Sequence, residues 1–364
     1  MALNFKLLKK QKEARAGVIT TNRGEIETPV FMPVGTQSTV KAVTFDQLDK
    51  CGTEIVLANT YHLFLRPGAD LVKEAGGLHG WTNYHKPFLT DSGGFQIFSQ
   101  SRIGKCKIDD KGAKFIDHIR GEKHFIGPKE SIEIQNKLGA DIMMAFDHCP
   151  NGGDSYEEVK KATQRTHEWA KICMDAHKRP EDQALFLIAQ GGIYKDLREW
   201  SVNEIIKHDA PGYAIGGVSV GESREDIDEI VKFTAPLLPE NKPRYLMGIG
   251  TFEDVVKAIA AGIDMFDCVM PTRMARHGCF FSEDGSRKLI KGKAYERDFG
   301  PLSKSCDCYT CKNHSAAYLR HLFRAGETVA GTLLSLHNLT FLIQLTKKIR
   351  SEILNNSFEI NNYV

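Results

Sequence analysis

Eight short apolar runs, most of them followed by a helical pattern, recur along the chain from Pro29 to Asp267. Near-continuous apolar runs of this length are typical of parallel strands that are buried on both faces. The runs lie at Pro29–Gly35, Glu54–Thr60, Pro87–Gly94, Asp141–Asp147, Ala184–Gly192, Gly212–Gly217, Arg244–Gly250 and Gly262–Asp267. The pattern therefore predicts an α/β fold with eight parallel strands.

Six candidate functional residues fall at the carboxyl ends of these runs, where (β/α)₈ barrels carry their active sites. An open doubly wound sheet is the alternative, but it would not naturally gather six strand ends around one point. The six residues are Asp91, Asp147, Gln190, Gly217, Met247 and Asp267. We therefore predict a (β/α)₈ TIM barrel.

The chain divides into three predicted units. Residues 1–278 form the barrel with an N-terminal β extension, and residues 279–340 form a basic segment with a metal-binding subdomain. Residues 341–364 form a C-terminal helix and tail that pack on the barrel. Further predicted elements are a β-hairpin from Lys105 to Phe125, a β-like segment from Ser286 to Arg297, and helices at Thr44–Lys50, Pro128–Leu138, Tyr156–His177, Arg224–Leu238, Phe252–Ala261 and Tyr318–Gly326.

The cysteine content and the N-terminal sequence indicate the cellular compartment of the protein. Nine cysteines, an odd number with three packed close together, argue against a secreted disulfide framework. The N-terminus has no apolar core of signal-peptide length, and the apolar runs have the length of strands rather than of membrane spans. We expect a cytoplasmic protein that does not enter a membrane.

Three cysteines, Cys306, Cys308 and Cys311, lie close together in the second unit. Three thiolates and one imidazole complete a closed tetrahedral zinc site of the structural kind, and thiolates this close would repel without a cation. His337 gives a C-x-C-x₂-C-x₂₅-H pattern, although His314 and His321 are nearer in sequence. Three unrelated cysteines with a packing histidine are the alternative.

Asp267 ends the last apolar run, and Arg273 and Arg276 follow it after a proline. A carboxylate beside cations can stay ionised and act as a nucleophile or a base. The arginines suit an anionic substrate because guanidinium groups offer planar, two-pronged hydrogen bonding. An ordinary strand end with a surface ion pair explains the stretch equally well.

Asp91 stands in the stretch Thr90-Asp-Ser-Gly-Gly-Phe-Gln96. The two glycines allow the backbone to approach a ligand closely, and Phe95 offers an aromatic face to a flat ring. Taken alone, a turn in which Asp and two glycines follow a strand is common, so this stretch also fits a purely structural role.

Asp147 and Gln190 are polar residues on otherwise apolar strands. A buried carboxylate that accepts two ring N–H groups suits the edge of a guanine-type purine, and an amide satisfies a ring carbonyl. A helix cap at Asp147 and a rim hydrogen bond at Gln190 are the structural alternatives. Cys149 is more typical of a small buried residue than of a nucleophile.

A run of basic residues separates the last strand from the cysteine cluster, and few acids interrupt it. Beside an active-site mouth, such a run is typical of a phosphate-binding surface, although a solvated face is the more usual explanation. The run consists of Arg273, Arg276, Arg287, Lys288, Lys291, Lys293, Arg297, Lys304 and Lys312.

From about Gly17 to Ile349 the chain resembles the bacterial-type tRNA-guanine transglycosylases, the queuine tRNA-ribosyltransferase family. These are zinc-containing (β/α)₈ enzymes of queuosine biosynthesis. The resemblance rests on the cysteine set and on Thr90-Asp-Ser-Gly-Gly-Phe-Gln96, Met144-Ala-Phe-Asp147, Gln190-Gly-Gly192, Tyr213-Ala-Ile-Gly-Gly217 and Phe266-Asp-Cys-Val-Met-Pro-Thr-Arg273.

The resemblance implies a function and a role for each candidate residue. The enzyme would exchange guanine at the wobble position of GUN-anticodon tRNAs for 7-aminomethyl-7-deazaguanine. Asp267 would be the nucleophile that forms a covalent tRNA intermediate, and Asp91 the general acid and base, in a logic parallel to a retaining glycosidase. The base pocket would comprise Ser92, Phe95, Asp147, Cys149, Gln190, Gly217, Val218, Glu222 and Met247, with Phe95 and Met247 sandwiching the ring.

The resemblance also implies binding partners for the protein, and it leaves open alternatives to the function given above. Arg273 and Arg276 would hold the tRNA anticodon stem-loop, and His337 would complete one structural zinc site per subunit of a homodimer. The chain departs from the family pattern at His148, Val218-Ser219, Met274 and His277, which touches substrate choice rather than the reaction. Queuine as the preferred base, a non-catalytic tRNA-binding partner subunit and a nucleoside hydrolase are the alternatives.

Overall fold

A closed parallel barrel lies at the centre of the protein, in a computed structural model that describes residues 2–99 and 106–364. The strands are β1 (Leu3–Gln11), β2 (Ala14–Thr21), β3 (Gly24–Thr28), β4 (Val30–Gly35), β5 (Val56–Ala58), β6 (Phe88–Thr90), β7 (Cys106–Asp109), β8 (Gly112–Ile116), β9 (Lys123–Ile126), β10 (Ile142–Met144), β11 (Ala184–Ala189), β12 (Tyr213–Ile215), β13 (Arg244–Leu246), β14 (Met265–Cys268), β15 (Cys279–Phe281) and β16 (Arg287–Leu289).

The barrel strands follow one another in the order β4-β5-β6-β10-β11-β12-β13-β14, and β14 pairs with β4 to close the ring. Seven of the eight fall within the predicted apolar runs, and β14 extends its run by one residue, to Cys268. Seven of them are buried along their whole length, and only β14 becomes partly exposed, at its Asp267 end. The (β/α)₈ prediction is confirmed.

Helices connect the barrel strands and cover the outside of the ring. They are α1 (Phe45–Lys50), α2 (Thr60–Leu65), α3 (Ala69–Glu74), α4 (Gly77–Thr82), α5 (Gly94–Ser99), α6 (Pro128–Leu138), α7 (Tyr156–Ala176), α8 (Lys195–Ile205), α9 (Arg224–Thr234), α10 (Phe252–Ala260), α11 (Met270–Arg276), α12 (Tyr309–Asn313), α13 (Ala316–Ala325) and α14 (Thr328–Leu354). Capping boxes at Thr44 and Ser155 explain why α1 and α7 begin where the sequence predicts.

Three antiparallel sheets are added to the barrel in the part of the chain that the structure describes. Strands β1 to β3 form one at the N-terminus, β7 to β9 form a second between β6 and β10, and β15 and β16 form a third after the last barrel strand. The predicted hairpin from Lys105 to Phe125 was too simple, because a third strand pairs with β8, and Lys105 itself lies outside the described residues. The β-like prediction for Ser286–Arg297 holds only for β16, since Lys293–Tyr295 forms a 3₁₀ turn.

Buried charges at the amino end of β14 fix the strand that delivers Asp267. Asp264 accepts hydrogen bonds from the Arg15 side chain and from the Arg244 backbone N–H, and its own carbonyl accepts from Val30 N. Arg15 and Asp264 form an ion pair at 3.0 Å with both side chains fully buried. These contacts join the N-terminal sheet, β13, β14 and β4, so the start of β14 is anchored from several sides.

Helix α14 is a core element. By length and hydropathy it could cross a membrane, but 67% of its most apolar window is buried inside the fold, which accounts for that composition. It packs against α11, α12 and α13 and against the barrel strand β4. The predicted boundary at residue 340 falls within this helix, and the division of the chain into three units stays a prediction.

Candidate active site

A cleft of about 780 Å³ opens at the carboxyl ends of the barrel strands. Ten of the predicted site residues line it: Asp91, Ser92, Phe95, Asp147, Cys149, Gly217, Val218, Met247, Asp267 and Arg273. Gln190, Glu222 and Arg276 lie outside this lining; Gln190 and Glu222 contact residues that belong to it. The barrel therefore brings together residues as far apart in sequence as Asp91 and Arg273, which are separated by half of the chain length.

Asp267 lies at the end of β14 and is held through one of its two carboxylate oxygens. Oδ1 accepts hydrogen bonds from the Tyr245 hydroxyl at 2.6 Å and from Gly248 N at 2.9 Å. Burial raises the pKa of Asp267, and these two bonds oppose the rise. The expectation that neighbouring arginines keep this carboxylate ionised was wrong: among the described residues Asp267 has no ion pair, and its donors are a tyrosine and a backbone N–H.

Asp91 follows β6 and is buried among donors from the end of β5 and the start of α2. Its carboxylate accepts from the Asn59 side chain and, at 2.7 Å, from Thr60 N, while its carbonyl accepts from Thr60 Oγ1. Burial raises the pKa of Asp91 to about 6 despite these bonds, and the charge of Asp267 adds to the rise. A carboxyl group with a pKa in this range can both donate and accept a proton near neutral pH.

Asp147 and Gln190 form a buried pair at the ends of β10 and β11. Gln190 Nε2 donates to Asp147 Oδ2 at 2.6 Å, and Ser92 Oγ lies 3.3 Å from Oδ1. Burial raises the pKa of Asp147 to about 6, and the charge of Asp91 contributes. Gln190 Oε1 is buried without a hydrogen-bond partner among the described residues, so an acceptor is available beside the carboxylate.

The loop after β12 comes close to the Asp147–Gln190 pair at a glycine. Gly217 has φ +61°, and a Cβ there would clash with Gln190 Oε1, so no other residue fits without rearrangement. Farther along the loop, Glu222 accepts a hydrogen bond from Val220 N at 2.8 Å. The loop backbone is thus fixed by a carboxylate at one end and by close packing at the other.

Phe95, Met247 and Cys149 form less polar parts of the cleft wall. Phe95 is 53% exposed, which is unusual for a large aromatic side chain and leaves its ring available to a ligand. Burial raises the pKa of the Cys149 thiol, which therefore stays protonated at neutral pH. Cys149 consequently lacks the thiolate that a nucleophile needs.

Arg273 and Arg276 occupy different environments on α11. Arg273 is exposed at the cleft, whereas Nη1 of the half-buried Arg276 has no hydrogen-bond partner among the described residues. A buried guanidinium N–H without a partner is costly unless a ligand supplies an acceptor. The other basic residues of the predicted run are exposed, as both a phosphate-binding surface and a solvated face require.

Cys306, Cys308, Cys311 and His337 come together at the start of α12 and in α14, with their ligand atoms within 4.8 Å of one another. His337 Nδ1 lies 3.7, 3.7 and 3.4 Å from the three sulfurs. A tetrahedral zinc ion with ordinary bond lengths separates sulfur from nitrogen by about 3.6 Å. His337 Nε2 donates to Phe281 O at 2.8 Å, which leaves Nδ1 free to bind a metal.

Five residues of the site were missed from the sequence. Asn59, Thr60, Tyr245 and Gly248 are the donors to Asp91 and Asp267 described above. The fifth is Arg198, fully buried on α8, which donates to four backbone carbonyls: Ala189, Gly192, Gly216 and Gly217. Asn59 ends an apolar run and could have been found by that position, but Arg198 lies on a helix with no distinguishing motif.

Over residues 10–361 the chain matches the protein family described as queuine tRNA-ribosyltransferase. It is 52% identical to the queuine tRNA-ribosyltransferase of Halothermothrix orenii over 355 residues, which cover 97% of this chain and 94% of the relative. The corresponding protein of Lysinibacillus sphaericus is 51% identical over 354 residues, covering 97% and 92%. That of Enterococcus faecalis is 49% identical over 358 residues, covering 98% and 93%.

These matches extend over nearly the whole chain and over nearly the whole of each relative. They confirm the resemblance that the motifs predicted. The chain belongs to the queuine tRNA-ribosyltransferase family.

Proposed function

We propose that this protein exchanges guanine at the anticodon wobble position of GUN-anticodon tRNAs for 7-aminomethyl-7-deazaguanine, through a covalent intermediate on Asp267. Its family makes it a tRNA-guanine transglycosylase, a pentosyltransferase of queuosine biosynthesis. The observation that carries the finer proposal is the presence of Asp91 and Asp267 in one cleft, beside the buried Asp147–Gln190 pair.

The reaction has two displacements at the anomeric carbon. In the first, Asp267 attacks C1′ of the ribose, the bond from C1′ to the base nitrogen breaks, and Asp91 supplies a proton to the departing guanine. In the second, Asp91 takes the N–H proton of the incoming base, whose nitrogen attacks C1′ and returns the bonding electrons to the Asp267 carboxylate. This is the double-displacement mechanism of a retaining glycosidase, with a second base in place of water as the acceptor.

Polar groups at the ends of β10, β11 and β12 read the base. The Asp147 carboxylate accepts from N–H groups on the guanine-type edge, and the Gln190 amide and Gly217 N–H serve the ring carbonyl. Phe95 and Met247 cover the two faces of the ring, while Ser92, Cys149 and Val218 complete the wall. Glu222 supports the loop backbone through Val220 N.

The incoming base is the less constrained part of the proposal. The cleft of about 780 Å³ also has to admit the flipped nucleotide and its neighbours, so its size does not separate 7-aminomethyl-7-deazaguanine from queuine. Cys149 and Val220 suit the compact base, and we retain it as the proposed substrate with queuine as the alternative.

The tRNA and the subunit partner are assigned from chemistry and from the family. Arg273 and the unpartnered N–H of Arg276 suit phosphates of the anticodon loop, and the exposed basic residues beyond them extend that surface. A homodimer and a cytoplasmic location stay predictions. The Cys306, Cys308, Cys311 and His337 set fits zinc, which would supply a structural cross-link between α12 and α14.

The first prediction concerns Asp267. Substitution Asp267→Asn removes the nucleophilic carboxylate, and exchange of radiolabelled guanine into an unmodified GUN-anticodon tRNA falls below detection, a loss of at least about a thousandfold. Asp209→Asn is the matched control, because Asp209 is exposed before β12 at the opposite end of the barrel, and it exchanges like wild type.

Competition with unlabelled bases in the same assay assigns the substrate. Stronger suppression by 7-aminomethyl-7-deazaguanine than by queuine supports the proposed base, and the reverse order replaces it. Wild-type protein that binds this tRNA without exchange favours the non-catalytic partner subunit. Base release without incorporation favours the hydrolase.

The second prediction concerns the pH dependence that Asp147 imposes on stability. The folded-state pKa of Asp147 is about 6, above the ordinary value of 3.8. Ionisation of this carboxyl group in the fold is therefore unfavourable, so the free energy of unfolding falls as pH rises from about 4 to 6 and reaches its lower level above pH 6. Asp147→Asn therefore raises the free energy of unfolding at pH 8 by up to roughly 3 kcal/mol, and near pH 4.5 by only about 1 kcal/mol. Urea titrations at both pH values measure this, and equal effects at the two would contradict it.

The third prediction concerns the metal. Purified protein contains one zinc per chain, and His337→Ala lowers the zinc content and the midpoint of thermal unfolding. His321→Ala is the matched control because His321 is exposed on α13 and keeps wild-type zinc. Elemental analysis and thermal melts provide the readouts, and zinc retained at full occupancy in His337→Ala would refute the ligand set.

A further inference from the structure

Both hydrogen bonds to Asp267 converge on the same oxygen. The Tyr245 hydroxyl and Gly248 N reach Oδ1, and Oδ2 has no hydrogen bond among the described residues. A carboxylate bound in this way cannot rotate freely about its last bond, because rotation would break both contacts. Its two oxygens are therefore distinct, one held by the protein and the other left to the cleft.

Resting on the proposed function, we propose that Tyr245 is a positioning residue: its hydroxyl holds Oδ1 of Asp267, so that Oδ2 is the atom that bonds to C1′ and leaves it again. Tyr245 lies on β13, opposite Met265 of β14 and two residues before the level of Asp267. The side chain is fully buried and reaches the wall of the cleft, so packing holds the ring while the hydroxyl donates to Asp267.

The hydrogen bond from the Tyr245 hydroxyl stabilises the ionised Asp267 carboxylate more than it stabilises the ester that Asp267 forms with the ribose. Attack by Oδ2 forms the C1′–O bond as the bond to the base breaks, and Oδ1 becomes the carbonyl of a neutral ester. A hydrogen bond to a charged acceptor is stronger than one to a neutral acceptor. Tyr245 therefore assists most in the second displacement, when the electron pair returns to Asp267, and it keeps the free enzyme ready to react.

Tyr245 itself does not transfer the proton. Burial, together with the adjacent Asp267, raises the pKa of the Tyr245 phenol well above its ordinary value. The hydroxyl thus stays protonated throughout the working range of pH and acts as a fixed donor.

Other ionisable groups face Asp267 and contribute to any pH profile. Asp91 and Asp147 lie in the same cleft, and Cys268 is adjacent on β14. Arg273 of α11 and His277, which follows that helix, line the opening. All of them remain when only the Tyr245 hydroxyl is removed. A difference between the profiles of wild type and Tyr245→Phe therefore reports on that hydroxyl.

The test is a single-turnover measurement of the covalent adduct on denaturing gels. Wild type and Tyr245→Phe are mixed with GUN-anticodon tRNA at several pH values, and guanine is then added to discharge the adduct. We expect the acid limb of adduct formation to move to higher pH in Tyr245→Phe. We also expect discharge to slow by about tenfold, with an unchanged KM for guanine.

Tyr213→Phe is the matched control. Tyr213 is buried on the neighbouring strand β12, and its hydroxyl accepts from Ala210 N, so the same atom is lost from the same core without contact to Asp267. Its profile matches wild type.

The outcomes separate the two proposals. If wild type forms no adduct, the proposed function fails, and the positioning role of Tyr245 falls with it because that role is defined on the adduct. If wild type forms the adduct and Tyr245→Phe has the same acid limb and discharge rate, the positioning role alone is overturned. A raised KM for tRNA with an unshifted acid limb also overturns it, because the hydroxyl would then contact the ribose.

Discussion

Three carboxylates that the fold withdraws from bulk water govern the carboxyl end of the barrel: Asp91 and Asp147 are buried, and Asp267 is partly exposed at the cleft. Asp91, Asp147 and Asp267 share one cleft without an ion-pair partner among the described residues, and burial raises the pKa of each. A buried charge without a counter-ion must be offset by hydrogen bonds. The donors come from the ends of neighbouring strands, so closure of the barrel and assembly of the site depend on each other.

Two aspartates at opposite ends of β14, Asp264 and Asp267, differ in their hydrogen-bond partners and therefore in what their carboxylates can do. At the start of the strand, Asp264 is paired with Arg15 and contacts Arg244, which makes it a structural anchor. Three residues later, Asp267 has only a hydroxyl and a backbone N–H as donors within the described part of the chain, and its second oxygen faces the cleft without a hydrogen bond from those residues. The same side chain on the same strand thus serves stability at one end and, in our proposal, chemistry at the other.

The sequence predicted the barrel because parallel strands that are buried on both faces appear in a sequence as short, near-continuous runs of apolar residues. It also predicted that Asp91, Asp147 and Asp267 lie together at the carboxyl end of the barrel, since each carboxylate follows an apolar run; their roles stay predictions. It could not predict Tyr245, whose ring looks like any core aromatic until the register of β13 and β14 places its hydroxyl against Asp267. Arg198 was missed for the same reason, because its four carbonyl partners meet only in the folded loops. The sequence placed Arg273 and Arg276 close to Asp267, but among the described residues neither arginine forms an ion pair with its carboxylate.

The most direct test of the central claim is to locate the covalent bond. Wild-type protein is incubated with GUN-anticodon tRNA, quenched in acid, digested with nuclease and protease, and analysed by mass spectrometry. The account predicts a ribose-containing fragment attached to the peptide that carries Asp267, with the peptide that carries Asp91 unmodified. Attachment at Asp91, or guanine exchange with no adduct on either peptide, would contradict it.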